Sequence, residues 1–336
     1  MRLKLVFSYD GSKFQGSQTQ PHENGVEDAL GAALAHVGIF SKIISSSRTD
    51  KGVHANNQVA CVECGEHFKD FARLKALINR HAHPAVHVKF ISRVKDDFHP
   101  RYDATARAYR YAINHGEFSP FLSPYETFLP KFDLNLANEL LALFVGEHDF
   151  SAFMKLGSDV KSPVRRVSKA FCYERGERTI IVFKANGFLR AQVRLMVASV
   201  LKALELAKNG KFKEIDAQEF KFERAQTTNL DSRTNLNQSS REKILTTSDE
   251  SANFTAEYAN SIASKFDAKN SNLNKATSID TEKNRAKIDN KNSNGCRDAN
   301  FLKAKELLRR AIYEQKPLTR IPAPPNGLYL NRVFYE

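Results

Sequence analysis

The sequence predicts an α+β fold built from two successive βαββαβ units. In both halves of the chain the apolar pattern alternates between a period of two and a period near 3.6 residues, in the same order. Hydrophobic residues make up 41% of the 336 residues and 24 of them are Phe, enough for a sizeable core. A polar stretch at 225–300 interrupts the second unit.

The first unit is predicted from alternating strands and two amphipathic stripes. A strand at about 2–9 precedes a helix whose apolar stripe runs from Val26 to Val37. The pattern then predicts, in order, a short strand near 42–45, a strand at 57–63, a helix at about 70–80 and a strand at 86–94.

The second unit repeats this order. We predict a strand at 106–114, a helix at 134–145, strands at 165–174 and 179–185, a helix at 188–207 and a strand at 327–335. A short amphipathic helix at 301–313 comes before that last strand. Two tandem ferredoxin-like units, 1–104 and 105–336, predict a mixed, largely antiparallel sheet with helices on one face, leaving the other face or the seam for a large ligand.

The stretch at 225–300 does not have the composition of a packed domain. It contains 13 Asn and 10 Ser but three aromatic residues, and its 11 basic residues nearly balance 10 acidic ones. Such a segment cannot bury enough apolar surface to offset the entropy of ordering it. We therefore predict a disordered insert at about 210–300.

The charge balance indicates a polyanionic partner. Lys and Arg number 51 against 38 Asp and Glu, a net charge of +13, and nearly all of the excess lies outside 225–300. Nucleic acid is the leading candidate for such a partner.

Several other classes are disfavoured. Cys61 and Cys64 form a C-x-x-C without a second pair or a histidine spacing, so no metal site is expected. The glycine-rich patterns of nucleotide cofactor sites do not occur. The N-terminal apolar run is too short for a signal peptide, and no segment approaches the length of a membrane span. These features predict a soluble protein of a reducing cytoplasm, without a metal site or a bound nucleotide cofactor.

The most informative stretch is SSSRTDKGVHANNQ at 45–58, which sets Asp50 among Arg48 and Lys51 in a polar loop. A carboxylate among cations is expected to be ionised at neutral pH, available as a nucleophile or as an electrostatic anchor. This environment alone does not specify a reaction.

Two further groups of residues could bind or react. The segment 98–111, which overlaps the predicted strand at 106–114, interleaves arginines with tyrosines. This pattern suits contacts to phosphates and bases but is also compatible with an ordinary strand that has a solvated edge. On the helix near 188–207, Arg194 borders the apolar stripe, where it could pair bidentately with a carboxylate or extend to solvent. The candidates in these groups are Arg101, Tyr102, Arg107, Tyr109, Arg110, Arg190 and Arg194.

These segments together resemble the tRNA pseudouridine synthase A family. The resemblance covers nearly everything except the insert, and its most specific part is R-T-D-x-G-V-H-A followed by A-T-A-R-x-Y-R-Y. It is carried by SYDGSKFQGSQ, SRTDKGVHANNQV, DDFHPRYDATARAYRY, GEHDFSAF, SPVRRV, NGFLRAQVR and GLYL. The sequence departs from the family pattern at Ser17, where relatives have Trp, and at Lys51, where an alanine is usual.

The resemblance implies isomerisation of uridine to pseudouridine at positions 38–40 of tRNA, by a homodimer and without a cofactor. It makes Asp50 the catalytic aspartate, which either attacks C1′ or acts through a glycal formed by deprotonation at C2′. Arg194 is implied as its ion-pair partner, and Tyr109 as the ring that stacks on the target base. The resemblance also implies that Arg48 assists extrusion of the nucleotide and that Leu328 and Leu330 form part of the pocket wall. Weaker contacts with RNA are implied for Arg107, Arg110 and Arg190.

Two alternatives remain at this stage. The basic charge and the Arg/Tyr strand are also compatible with an RNA-binding protein that catalyses nothing. A glycosidase or phosphatase with an aspartate nucleophile would need a second carboxylate or a metal site, and the sequence near Asp50 supplies neither.

Overall fold

The structure is a computed structural model that describes residues 1–19, 21–158, 160–212 and 286–336, with 286–297 described as helical backbone only. Within these ranges ten strands form one sheet and five α-helices are present. The strands are β1 Arg2–Tyr9, β2 Ile44–Ser45, β3 His54–Glu63, β4 Val86–Val94, β5 Ala106–Asn114, β6 Thr127–Phe128, β7 Gly146–Asp149, β8 Val164–Arg175, β9 Arg178–Ala185 and β10 Leu328–Phe334. The helices are α1 Val26–Ala35, α2 Phe71–Ala82, α3 Leu134–Ala142, α4 Gln192–Asn209 and α5 Ala286–Tyr313.

The two halves have the same strand order, which confirms the predicted pair of ferredoxin-like units. The sheet runs β4-β1-β3-β10-β5-β9-β8-β7, with β2 beside β3 and β6 beside β5. In the first half, the strands of the βαββαβ unit therefore lie in the order fourth, first, third, second. The second half repeats that order as β10, β5, β9 and β8.

The halves join through β10, which pairs in parallel with β3 and antiparallel with β5. Cross-strand partners share a face of a sheet, so the registers define one row of side chains that crosses the seam. That row passes from β1 to β8 through Tyr9, Ala55, Leu330, Tyr109, Phe183 and Ala170, all of them buried. The junction of the two halves at β10 is therefore part of one continuous hydrophobic core.

One face of the sheet is covered and the other is more exposed. Along β1 the buried residues alternate with partly exposed ones, and β9 shows the same alternation. Helices α2 and α3 pack on β4 and β8 respectively. Each of them begins at an aspartate whose carboxylate accepts from backbone N–H groups of the first turn, Asp70 for α2 and Asp133 for α3.

Most predicted elements agree with the structure to within three residues at each end; β3, for example, begins at His54 rather than 57. Four differences are larger. Helix α4 begins at Gln192 rather than 188, because Ala191 has a φ of 60° and cannot belong to a right-handed helix. The strands β6 and β7 were not predicted, since a two-residue strand and the sequence Gly-Glu-His-Asp carry no apolar alternation. Helix α5 begins at Ala286 rather than 301, so residues 286–300 are helical where the insert was predicted to be disordered.

For residues 213–285 the predicted insert lies outside the described residues. The chain divides into a compact unit of Met1–Lys208 with Phe301–Glu336 and a second unit of Asn209–Asn300. The first unit contains the complete sheet. The division of the chain at residue 104 stays a prediction.

Candidate active site

Asp50 lies in a loop between β2 and β3 that is bonded to the end of β1 and to the segment after it. Ser17 and Thr49 exchange two hydrogen bonds: Ser17 N donates to the Thr49 carbonyl at 3.1 Å, and Thr49 N donates to Ser17 Oγ at 2.8 Å. The hydroxyls of Tyr9 and Thr49 are 2.8 Å apart. These bonds restrict the backbone immediately before the carboxylate.

Two glycines allow the close approach of neighbouring segments to this loop. Gly16 has a φ of 131°, and a Cβ there would stand 3.3 Å from the Thr49 carbonyl oxygen. Gly52 has a φ of 78°, and a Cβ there would stand 3.0 Å from the Pro325 ring. Both residues also adopt a backbone conformation that disfavours any side chain.

Arg194, near the start of α4, faces Asp50. Its Nη1 lies 3.3 Å from Asp50 Oδ2, and the side chains are 16% and 34% exposed, respectively. This contact joins one nitrogen to one oxygen, and Nε donates to the Ala323 carbonyl at 2.6 Å. The Ala323 N–H in turn donates to the Arg194 carbonyl at 3.1 Å. The segment before β10 therefore fixes the guanidinium while leaving one edge for the carboxylate.

Tyr109 forms a buried part of the same site and is 7% exposed. Its ring meets Phe188 edge to face, with centroids 5.2 Å apart. The pKa of Tyr109 is raised to about 12, mainly by burial; Arg107 and a hydrogen bond with Ser47 oppose this shift, and the Asp50 carboxylate adds a smaller contribution to it. The phenol is therefore neutral at pH 7 and can donate a hydrogen bond.

Arg107 connects three segments around the Asp50 loop. Its Nε donates to Ser47 Oγ at 3.1 Å, and its Nη1 donates to the Asn186 carbonyl at 3.0 Å. Its Nη2 donates to the carbonyls of Ser46 at 3.2 Å and Arg101 at 2.6 Å. The guanidinium predicted as an RNA contact is thus bonded to protein oxygens on every nitrogen.

These groups line one cleft of about 810 Å³, within the roughly 300–1,000 Å³ typical of small-molecule sites. The cleft brings together seven of the predicted site residues, and further arginines also line it. These residues are Arg48, Asp50, Arg107, Tyr109, Arg190, Arg194 and Leu328. The sequence candidates Arg101 and Tyr102 also line the cleft, and Arg165 is a lining residue that was not predicted.

Two predicted residues lie elsewhere. Leu330 is fully buried and does not line the cleft; it pairs with Tyr109 across the sheet and supports that ring from the next strand. Arg110 is exposed and alternates with Tyr109 along β5, so it lies on the opposite face of the sheet. Its contact with RNA stays a prediction.

Sequence reasoning missed the residues that hold the site together. Tyr9 and Ser17 belong to a segment that carried the resemblance, but nothing in the sequence indicated that they bond to Thr49. Ala323 acts through backbone atoms, for which the side chain gives no signal. Gln58 was also missed: it is buried, accepts from Ser46 Oγ at 2.7 Å and donates to the Ser47 carbonyl at 2.8 Å.

His54 forms a second polar cluster four residues after Asp50. Its ring is 2% exposed, and Nδ1 accepts from the Gly11 N–H at 3.0 Å, so Nε2 carries the proton and donates to the Pro124 carbonyl at 2.9 Å. The ring stacks on Tyr329 at 4.7 Å. Burial lowers the pKa of His54, against the opposing effects of the Pro124 bond and Asp10. This neutral imidazole holds β3 against two loops.

Within the described ranges, no group of three or more His, Cys, Asp or Glu is arranged to hold a metal ion. None of the helices in the same ranges is both long enough and apolar enough to cross a bilayer.

Comparison with known proteins shows the family. A model of the tRNA pseudouridine synthase family matches residues 5–103 and 140–253. A tRNA pseudouridine synthase A of Campylobacter jejuni is 52% identical over 219 residues, covering 65% of this chain and 90% of that protein. The enzymes of the same name from Wolinella succinogenes and Helicobacter hepaticus are 39% and 40% identical, covering 60% and 59% of this chain and 79% and 82% of theirs.

A solved structure described as a Cbf5-Nop10-Gar1 complex aligns with 58% of this chain and 44% of its own, at 12% identity and a TM-score of 0.27. That likeness is too low to carry an argument. The family membership rests instead on the family model and on the three relatives. On that basis, the chain belongs to the tRNA pseudouridine synthase family, whose members are isomerases.

Proposed function

We propose that this protein isomerises uridine to pseudouridine at positions 38–40 in the anticodon stem-loop of tRNA, with Asp50 as the catalytic carboxylate. The observation that carries the proposal is the contact between Asp50 and Arg194 inside the cleft, beside the buried ring of Tyr109. The names of the relatives support tRNA as the substrate class, and the sequence motifs support the positions.

The reaction rearranges bonds within one nucleotide. The N1–C1′ bond breaks, the base turns in the site, and a C5–C1′ bond forms while C5 loses a proton and N1 gains one. Substrate and product have the same formula, so neither a redox partner nor a group donor is required. Asp50 fits two routes, attack on C1′ or deprotonation at C2′ to a glycal, and both use an ionised carboxylate.

Arg194 and Tyr109 prepare the site for either route. Arg194, whose guanidinium is held by the Ala323 carbonyl, places a positive charge 3.3 Å from the Asp50 carboxylate. Tyr109 keeps its proton at neutral pH, because its pKa is about 12, and so acts as a hydrogen-bond donor and a wall rather than as a phenolate base.

The arrangement at the entrance suits a nucleotide that has left its helix. A uridine must be extruded from base stacking to reach a carboxylate inside a cleft. Arg48 is exposed at the cleft and can contact the displaced backbone, and Arg190 lies exposed on the same lining. Leu328 supplies an apolar wall for the base. We further propose a homodimer that works in the cytoplasm.

The test is isomerisation of unmodified tRNA, mapped by carbodiimide chemistry. The wild-type protein should give pseudouridine at positions 38–40, and Asp50→Asn should give none while still binding tRNA. Asp97→Asn, which changes an exposed carboxylate outside the cleft, should react like the wild type. Folded wild-type protein that yields no product, or an Asp50→Asn variant that remains active, would contradict the proposal.

A further inference from the structure

Tyr102 stands on the lining of the cleft with most of its ring open to solvent. The residue is 77% exposed and lines the cleft beside Arg101. One side of the ring packs against the His99 imidazole, with centroids 4.3 Å apart and 36° between the planes. An aromatic ring supported on one side and open on the other is suited to stacking on a nucleobase.

The turn that carries Tyr102 is internally hydrogen-bonded. His99 Nδ1 accepts from the backbone N–H groups of Arg101 at 3.2 Å and Tyr102 at 3.3 Å. The Asp103 carboxylate accepts from the His99 N–H at 2.9 Å, and the Asp103 N–H donates to the His99 carbonyl at 3.0 Å. A platform that is already ordered loses little conformational freedom when a base stacks on it.

Two residues from outside the turn fix its position relative to the catalytic loop. The Tyr335 hydroxyl donates to the Pro100 carbonyl at 2.8 Å. Arg107 Nη2 donates to the carbonyls of both Arg101 and Ser46, so the turn and the start of the Asp50 loop share one nitrogen. A base on Tyr102 would therefore belong to a nucleotide close to the one at Asp50.

The geometry points to Tyr102 as the stacking platform for an unpaired nucleobase next to the target uridine, with Arg101 contacting a phosphate of the same strand. The inference rests on the proposed function, because its ligand is the strand that carries the target uridine. Stacking uses the face of a base rather than its hydrogen-bonding edges, so the site accepts any base and favours the larger rings. Phosphate contacts of exposed arginines add affinity without sequence preference.

The test is a binding cycle between the protein and an anticodon stem-loop RNA. Each loop nucleotide is replaced in turn by an abasic residue, and Kd is measured by fluorescence anisotropy with full-length Asp50→Asn protein, which leaves the RNA unmodified. We expect Tyr102→Ala to weaken binding about tenfold, the equivalent of about 1.4 kcal/mol. At one loop position, the abasic replacement should weaken binding to the protein that retains Tyr102 by about the same factor. The same replacement should leave the Kd of the Tyr102→Ala protein unchanged.

Two controls separate stacking from folding and from the loss of surface. Tyr102→Phe keeps the ring and should bind like the parent protein. Phe40→Ala removes an aromatic residue that is 82% exposed and lies outside the cleft, and it should leave Kd unchanged. Equal binding by the Tyr102→Ala protein, or effects of Tyr102→Ala that add independently to every abasic position, would overturn the inference.

The proposed function fails separately. The binding cycle measures Kd alone, with Asp50→Asn protein. Isomerisation of the same RNA is measured separately, with protein that retains Asp50. RNA that is bound with the expected coupling to Tyr102 but is not isomerised would count against the proposed function only. RNA that is isomerised without any coupling to Tyr102 would count against the platform only.

Discussion

Replacing Arg107 by alanine distinguishes a residue that positions the catalytic loop from one that binds RNA. The change removes hydrogen bonds to Ser46, Ser47, Arg101 and Asn186. Hydrogen bonds that involve a charged group contribute about 1.5–3 kcal/mol each, but bonds that share one guanidinium do not add. For this partly buried side chain, we expect the free energy of unfolding to fall by about 2–4 kcal/mol.

Catalysis should fall further than binding in the same variant. Ser46 and Ser47 precede Asp50 in its loop, and a displacement of about 1 Å at a reacting group can lower the rate by about 10²-fold. We therefore expect kcat to fall by about that factor while the Kd for tRNA stays within about threefold. Urea unfolding, single-turnover kinetics and Kd at several salt concentrations measure the three quantities.

The salt dependence decides between the two roles. A phosphate contact would lower the slope of log Kd against log salt concentration by about one when Arg107 is removed, with unfolding unchanged. That result would refute the positioning role. Arg110→Ala is the matched control on the same strand, because Arg110 is exposed on the other face, and its stability should change by less than about 0.5 kcal/mol.

Three further predictions concern stability. The pKa of His54 is lowered in the folded protein, whereas in the unfolded chain it has the ordinary value of 6.5. At a pH below 6.5 the unfolded chain therefore binds a proton that the folded protein does not, so the free energy of unfolding should fall as the pH drops through 6.5. His54→Gln should flatten that dependence in urea titrations at pH 5.5 and 7.5, and an equal slope in both proteins would contradict the cause. Ala191→Gly relieves a φ of 60° and should raise the unfolding free energy by about 1 kcal/mol, whereas a decrease would show that the backbone is not strained. Leu330→Ala empties a fully buried position behind Tyr109 and should cost about 2–5 kcal/mol in urea unfolding; a loss below about 1 kcal/mol would contradict its place in the core.

The fold was predictable wherever one face of an element is buried. The alternation in β1 and β9 and the stripe of α1 are direct consequences of a covered and an open side, so these elements appear at their predicted places. The predicted start of α4 was wrong because apolar Phe188 and Leu189 continue the helical pattern, while the backbone at Ala191 interrupts it. The spacing of apolar residues does not reveal a single residue with a left-handed backbone conformation.

Less of the candidate site than of the fold could be predicted from the sequence pattern. The polar, basic composition around Asp50 marked it as a candidate, but Arg194 is 144 positions away, and its pairing with Asp50 was implied by the resemblance alone. The support from Ala323 depends on backbone atoms, and the role of Arg107 depends on four oxygens from three segments. Contacts of this kind follow from tertiary packing, which no local pattern encodes.

The central place of β10 also bears on how the chain folds. This strand comes after all the others in the sequence, yet it lies between β3 and β5, and Asn57 on β3 bonds to Asn331 across 274 positions. Closing so long a loop makes the joining of the halves a slow, non-local step. During synthesis, the second half cannot complete its sheet, or join the first half through β10, until residues 328–334 have left the ribosome. The cleft, which needs Leu328 and Ala323, forms only then. A nascent chain that stops short of β10 therefore has no catalytic site.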